Sequence, residues 1–192
     1  MIAGRLEEQK GHAVLLDALA ELRRRGLDFT LAVAGDGALR ADLEKRAREL
    51  DLGGRVCFLG ALDDVGPLLA AADAVAMPSL WEGMPLVLLE AMVRSRPVVA
   101  SSVGGVPEVI EDGVHGVLVP PGDPLALAGE LERFHRKTER AVRLGRAGGE
   151  RVRRDYLWQA VAEGFEAVYD EVLGLATFTP HEPAAAGRGG NR

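Results

Sequence analysis

Two apolar periods alternate along this chain, and that alternation constrains its fold more than any other feature. Short apolar runs bounded by glycine, proline or aspartate give way to longer stretches in which apolar residues recur every three or four positions. The first pattern predicts strands and the second helices. Strands separated by helices pair in parallel, because a parallel neighbour needs a crossover. A parallel sheet of that kind carries helices on both faces. The expected fold is therefore α/β: a doubly wound, Rossmann-like parallel sheet with helices on both faces.

Strands are expected over residues 1–3, 29–34, 56–59, 74–77, 98–100 and 116–119, the first of them short at its start. Helices are expected over 12–25, with Ala13, Leu15, Leu16, Leu19 and Leu22 inward, and over 38–50. A short helix capped by Asp63 or Asp64 should run to Ala71, another should open at Pro85 and run to about Arg94, and Pro107 should open a brief one. Asp123-Pro124 caps a further helix, and two more are expected over 139–154 and 158–173. From residue 176 the chain turns to Pro, Ala, Gly and Arg, a composition expected to stay disordered. Residues 1–175 are expected to form one domain, with 176–192 as a tail.

The charge balance limits the partners. With 29 acidic and 23 basic residues the net charge is −6, which provides no general attraction to nucleic acid or to an anionic membrane. Any phosphate must be bound locally. The single cysteine, Cys57, sits in an apolar run and is expected to be a small buried hydrophobe; no disulfide can form within the chain, which fits a reducing cytoplasm. No apolar stretch reaches the length of a membrane span, and the start has no signal-peptide pattern. A cytoplasmic protein is expected, with peripheral attachment at a membrane's inner face as the alternative.

Ligands of doubly wound sheets bind outside the carboxyl ends of the strands, where the strand order reverses. Two unusual segments fall there. Gly4-Arg5-Leu6-Glu7-Glu8-Gln9-Lys10-Gly11 follows the first strand, and Ser79-Leu80-Trp81-Glu82-Gly83-Met84-Pro85 follows the fourth. Arg5 offers a planar fork of donors and Lys10 a compact charge, a combination able to hold a pyrophosphate. A cation beside a helix N-terminus is disfavoured unless an anion shares the site. The competing reading pairs Arg5 and Lys10 with Glu7 and Glu8 on the surface.

The helix from Leu86 to Val93 is apolar around its circumference except at Glu90, so it is expected to be buried. A carboxylate there needs partners, either ligand hydroxyls or neighbouring backbone or lysine. Before it, Glu82 and the N–H groups of Gly83, Met84, Leu86 and Val87 face one space, where sugar or phosphate oxygens could bind. Gly83 lets backbone approach a ligand closely, or merely makes a tight turn.

Other chemistries fit less well. Gly35-Asp36-Gly37 begins a dinucleotide fingerprint whose third glycine is replaced by Arg40, so a structural turn is the better reading. Glu82 and Glu90, with seven residues between them, suit two ends of one elongated ligand better than the opposed carboxylates of a glycosidase. The histidines His12, His115, His135 and His181 share no ligand spacing, and only His12 lies near the phosphate loop. No Asp-x-Asp pair is present to clamp a metal.

Taken together, Gly4-Arg5-Leu6 with Lys10-Gly11, the Glu82 to Glu90 segment and Gly104-Gly105-Val106-Pro107-Glu108-Val109 resemble family four of the retaining glycosyltransferases, over about residues 2–173. The resemblance implies the C-terminal, donor-binding half of a GT-B fold, with a hexose-type sugar transferred from a UDP-, GDP- or ADP-linked donor. Arg5 and Lys10 would hold the diphosphate, Glu82 the hydroxyls of the transferred sugar and Glu90 the ribose. Arg5, Lys10 and Glu82 would then be the catalytic set, and Glu82, Gly83, Met84, Pro85, Leu86, Val87 and Glu90 the donor-binding set, with no metal and no cofactor. Relatives carry an N-terminal acceptor domain that is absent here, so the chain alone is expected to bind donor without transferring sugar. The competing class is a non-catalytic nucleotide-binding or interaction module. In relatives a C-terminal helix crosses to the other domain; here its apolar stripe of Trp158, Val161, Phe165, Val168 and Val172 would pack on its own sheet or drive a homodimer. Neither the base, the sugar nor the acceptor is named by these residues.

Overall fold

The structure is a computed structural model in which residues 1–174 are described; the expected tail lies outside the described residues. Six strands run β1 Ile2–Ala3, β2 Leu31–Ala34, β3 Val56–Gly60, β4 Val75–Met77, β5 Val98–Ser101 and β6 Val117–Val119. The helices are α1 His12–Arg24, α2 Arg40–Glu49, α3 Gly66–Ala71, α4 Leu86–Val93, α5 Val106–Val109, α6 Pro124–Arg136, α7 Thr138–Asp155 and α8 Trp158–Leu173. Each strand is short and apolar enough to cross the core once. Asp123 caps α6 by accepting from the N–H groups of Leu125 and Ala126, which satisfies two donors that a helix start would otherwise leave orphaned.

All strand pairs are parallel, in the orders β1-β2-β3 and β4-β5-β6. The two halves meet along β1 and β4, where the Ala76 N–H donates to the Met1 carbonyl at 2.9 Å and the Met1 nitrogen donates to the Ala74 carbonyl at 2.7 Å. The resulting order, 3-2-1-4-5-6, reverses direction between β1 and β4. That reversal parts the loops on either side of it and opens a crevice at the carboxyl ends of these two strands.

Alternate residues set the two faces. Ile2, Val33, Ala76, Val99 and Val119 enter a core shared with α1, α2 and α6. On the opposite face Val75, Met77, Val98 and Ala100 are equally buried, against a layer to which α4 contributes Leu88, Ala91 and Met92. Covering both faces excludes water from the apolar backs of the strands, as a parallel sheet requires.

Three expectations need correction. Ala13, expected inward on α1, is exposed, and Ala18 is buried on that face instead. Cys57 is exposed: β3 is the outer strand, Val56 and Phe58 pack on the core, and the alternate positions Cys57 and Leu59 face outward. Helix α4 is not enclosed either, since Leu86 is 70% exposed and only one side of the helix, carrying Leu88, Ala91 and Met92, is buried. A helix lying on one face of a sheet buries the stripe turned to the strands, whatever the composition of the other side.

The chain divides into two compact units, residues 1–154 and residues 155 onward. The first holds the whole sheet. The second contains α8, which has no buried residue; Trp158, Phe165, Val168 and Val172 of its stripe are exposed. No helix among the described residues is long and apolar enough to cross a membrane.

Candidate functional site

Three loops converge at the β1/β4 crevice, and the residues that join them are the ones the motifs single out. After β1 the chain turns through a 3-10 helix, Glu8–Lys10, into Gly11, whose φ of 64° is left-handed. A Cβ at Gly11 would collide with the Pro78 carbonyl, so the first loop lies directly on the end of β4. Two hydrogen bonds join the same loops: the Leu80 N–H donates to the Gln9 carbonyl at 2.8 Å, and Gln9 Nε2 donates to the Trp81 carbonyl at 3.0 Å. The third loop, after β5, closes on the second. Gly104, at φ 52°, leaves no room for a Cβ against the Glu82 carbonyl, and the Gly105 N–H donates to the Gly83 carbonyl at 2.9 Å.

The side chains inside this frame form one charged cluster. Lys10 Nζ donates to Glu82 Oε1 at 2.6 Å, and Ser79 Oγ donates to the same oxygen at 2.7 Å. The Glu82 side chain is only 5% exposed. A buried carboxylate is tolerated because these two donors replace the water it gave up. Beside them opens a small pocket lined by Ala3, Lys10, Met77, Ser79, Glu82 and Val87.

Helix α4 begins at the rim of that pocket. Pro85 is its extended N-cap and Leu86 its first helical residue, so the helix starts one residue later than the sequence pattern predicts. No N–H of Gly83, Met84, Leu86 or Val87 has a hydrogen-bond partner among the described residues. Such amides, at the positive end of a helix dipole, favour an anion. Glu90 is half-buried one turn along from Val87, and its carboxylate has no partner among the described residues; its backbone carbonyl accepts from Arg94 at 2.9 Å.

Arg5 and His12 stand apart from the cluster. Arg5 is exposed and bonded to Glu7 at 3.0 Å, the surface pairing that was the competing reading for it. Lys10 departs from that reading, because its anion is Glu82 and not Glu7 or Glu8. His12 is turned inward among Ile2, Leu15, Leu16, Leu31 and Val33, 4% exposed, and neither ring nitrogen has a partner among the described residues. Burial, with a smaller contribution from the nearby Lys10 charge, lowers its pKa to about 4. The Gly35-Asp36-Gly37 segment is a structural turn: the Leu6 N–H donates to the Asp36 carbonyl at 2.9 Å and the Gly35 N–H to the Gly60 carbonyl at 2.7 Å.

Comparison with known proteins gives this crevice its family. Residues 1–137 match the model of the glycosyl transferases group 1. The chain belongs to that family. A D-inositol 3-phosphate glycosyltransferase of Corynebacterium diphtheriae is 36% identical over 192 residues, covering 96% of this chain and 45% of the relative. An alpha-D-kanosaminyltransferase of Streptomyces kanamyceticus is 33% identical over 174 residues, covering 90% of this chain and 45% of that protein. Among solved structures, Anabaena HepE in complex with UDP superposes with a TM-score of 0.77 at 30% identity, over 86% of this chain and 48% of HepE; HepE has also been solved with UDP-glucose. The chain thus spans about half the length of the glycosyltransferases it matches, and its fold is that of a GT-B half.

Within this group 1 glycosyl transferase domain, the motif positions brought together are Lys10, Glu82 and Val87, with Gly83, Met84 and Leu86 supplying amides at the rim. Sequence reasoning assigned no role to Ser79. Its signal was available: a serine just past a strand end, three residues before a carboxylate that had to be satisfied.

Proposed function

We propose that this chain is the donor-binding half of a retaining, family-four glycosyltransferase, which holds a UDP-, GDP- or ADP-linked hexose at the β1/β4 crevice for transfer to an acceptor held by another part of the enzyme. The observation that carries the proposal is the buried Lys10–Glu82 pair, set beside unpartnered amides at the start of α4. The binding of UDP and of UDP-glucose by HepE supports a nucleoside diphosphate sugar as the ligand class.

In this reading the amides of Gly83, Met84, Leu86 and Val87 take phosphate and sugar oxygens, Lys10 adds charge to the diphosphate, and Arg5 joins it by leaving Glu7. Glu82 accepts from a sugar hydroxyl and Glu90 from the ribose, with Pro85 fixing the entry of the helix. As the bond from the anomeric carbon to the diphosphate oxygen breaks, negative charge gathers on the leaving group. Fixed donors aimed at that charge stabilise the transition state more than the ground state. These donors require no metal. Retention follows the family resemblance, and no residue here has to form a covalent intermediate. Holding an acceptor in line with the anomeric carbon contributes about 7–11 kcal/mol to such a reaction, and that part lies with the acceptor site, so this chain binds donor without transferring sugar.

Calorimetry with UDP, GDP, ADP and their glucose conjugates, each with and without EDTA, tests the reading. One nucleotide series is expected to bind, and to bind equally well after chelation. Binding of none of the probes would overturn the proposal, and loss of binding on chelation would overturn its metal-free form.

A further inference from the structure

We propose that Ser79 is a positioning residue for sugar recognition, acting through Glu82; this rests on the donor reading above. Ser79 lies two residues past the end of β4 and is 3% exposed. Its hydroxyl has two constraints: the flanking backbone is held, with the Pro78 carbonyl against Gly11 and the Leu80 N–H donating to the Gln9 carbonyl at 2.8 Å, and Oγ donates to Glu82 Oε1 at 2.7 Å. Lys10 Nζ reaches the same oxygen at 2.6 Å. Both donors therefore converge on one carboxylate oxygen, while Oε2 has no partner among the described residues. Ser79, Lys10 and Glu82 all line the same pocket.

This division of labour decides what the carboxylate can do. One oxygen held from two directions fixes the rotation of the carboxylate plane, which a single ammonium on a flexible stem would not do. The remaining oxygen is then an acceptor of fixed position, suited to a hydroxyl of the sugar and indifferent to the diphosphate. Removing the serine hydroxyl leaves the Lys10–Glu82 ion pair in place but frees the carboxylate to turn about it. Recognition of the sugar should suffer while recognition of the nucleotide does not suffer equally. A serine that only filled space or shaped the loop would move both together.

The test compares UDP with UDP-glucose, or the GDP or ADP pair if that series binds, by calorimetry on the full chain. The ratio of the two affinities measures what the sugar adds. Ser79→Ala is expected to reduce that ratio about tenfold, the factor for a lost hydrogen bond to a charged group. Ser79→Thr, which keeps a hydroxyl, should restore it. If Ser79→Ala does not fold, Ser79→Cys fills the position with a weak donor and should reduce the ratio in the same direction. An unchanged ratio in the folded variant, or an equal loss for both ligands, would overturn the positioning role while leaving the donor reading intact. If the wild-type chain bound none of the nucleotides, the donor reading itself would fall, and this role with it.

Discussion

Lys10 Nζ and Glu82 Oε1 lie 2.6 Å apart although 72 positions separate the residues along the chain. The pair ties the loop after β1 to the loop after β4, across the line where the sheet reverses direction. It also resolves an electrostatic conflict, because Lys10 stands just before the N-terminus of α1, where a cation is disfavoured by itself.

That relationship predicts an asymmetric mutational cycle. Lys10→Met leaves the buried Glu82 carboxylate with one neutral donor and should destabilise the fold by about 3 kcal/mol, the lower end of the range for breaking a buried pair, since Lys10 retains some solvent contact. Lys10→Met combined with Glu82→Gln should recover most of that loss. Urea denaturation of the two single variants and the double variant measures the coupling; simple additivity would show that the pair does not hold the loops together.

Glu90 should behave oppositely. Its carboxylate has no partner among the described residues, so Glu90→Ala should leave stability within about 0.5 kcal/mol. Nucleotide affinity should fall about ten- to hundredfold if ribose hydroxyls donate to it, given about 1.5–3 kcal/mol for a charged hydrogen bond. Calorimetry that found the same affinity in the variant would remove Glu90 from the site.

Two neighbouring glycines should separate packing from ligand contact. Gly104→Ala forces a Cβ into the Glu82 carbonyl at a left-handed φ of 52° and should cost about 2–3 kcal/mol or more. A Cβ at Gly83 meets nothing within 4 Å, so Gly83→Ala should leave the melting temperature nearly unchanged. If Gly83 admits a ligand closely, its variant should lose nucleotide affinity at full stability, which a thermal melt and a titration on the same sample would reveal.

His12 gives a pH dependence of definite sign. Its folded pKa is lowered from 6.5 to about 4, so on acidification the unfolded chain takes up the proton first. Stability associated with the neutral ring is therefore complete above about pH 6.5, declines as the pH falls toward 4, and levels off below. At about 1.4 kcal/mol per pKa unit the total is about 3 kcal/mol. Denaturation at pH 7.5 and 4.5 should show a smaller acid-induced loss in His12→Leu than in the wild type. Equal losses would mean that the ring is protonated without cost in the fold.

What the sequence determined by itself was local in origin. Periodicity placed the helices over 12–24 and 158–173 to within a residue, because a repeat of 3.6 or 2 is written in adjacent positions. Doubly wound sheets typically reverse between their first and fourth strands, and the glycine, proline and glutamate motifs marked the loops that gather there. Only the tertiary structure decided what each polar group faces. Lys10 had two carboxylates within three residues, and it pairs with a third 72 positions away, since the loops around it bring that one into a drier place. His12 sits beside the loop after β1 in sequence, yet the start of α1 turns it toward β1 and β2. Cys57 and Leu86 are apolar by type and exposed by position, one on an outer strand and the other on the outward side of a helix. Such outcomes depend on which faces the fold covers, and covering is a property of packed elements that a linear pattern does not carry.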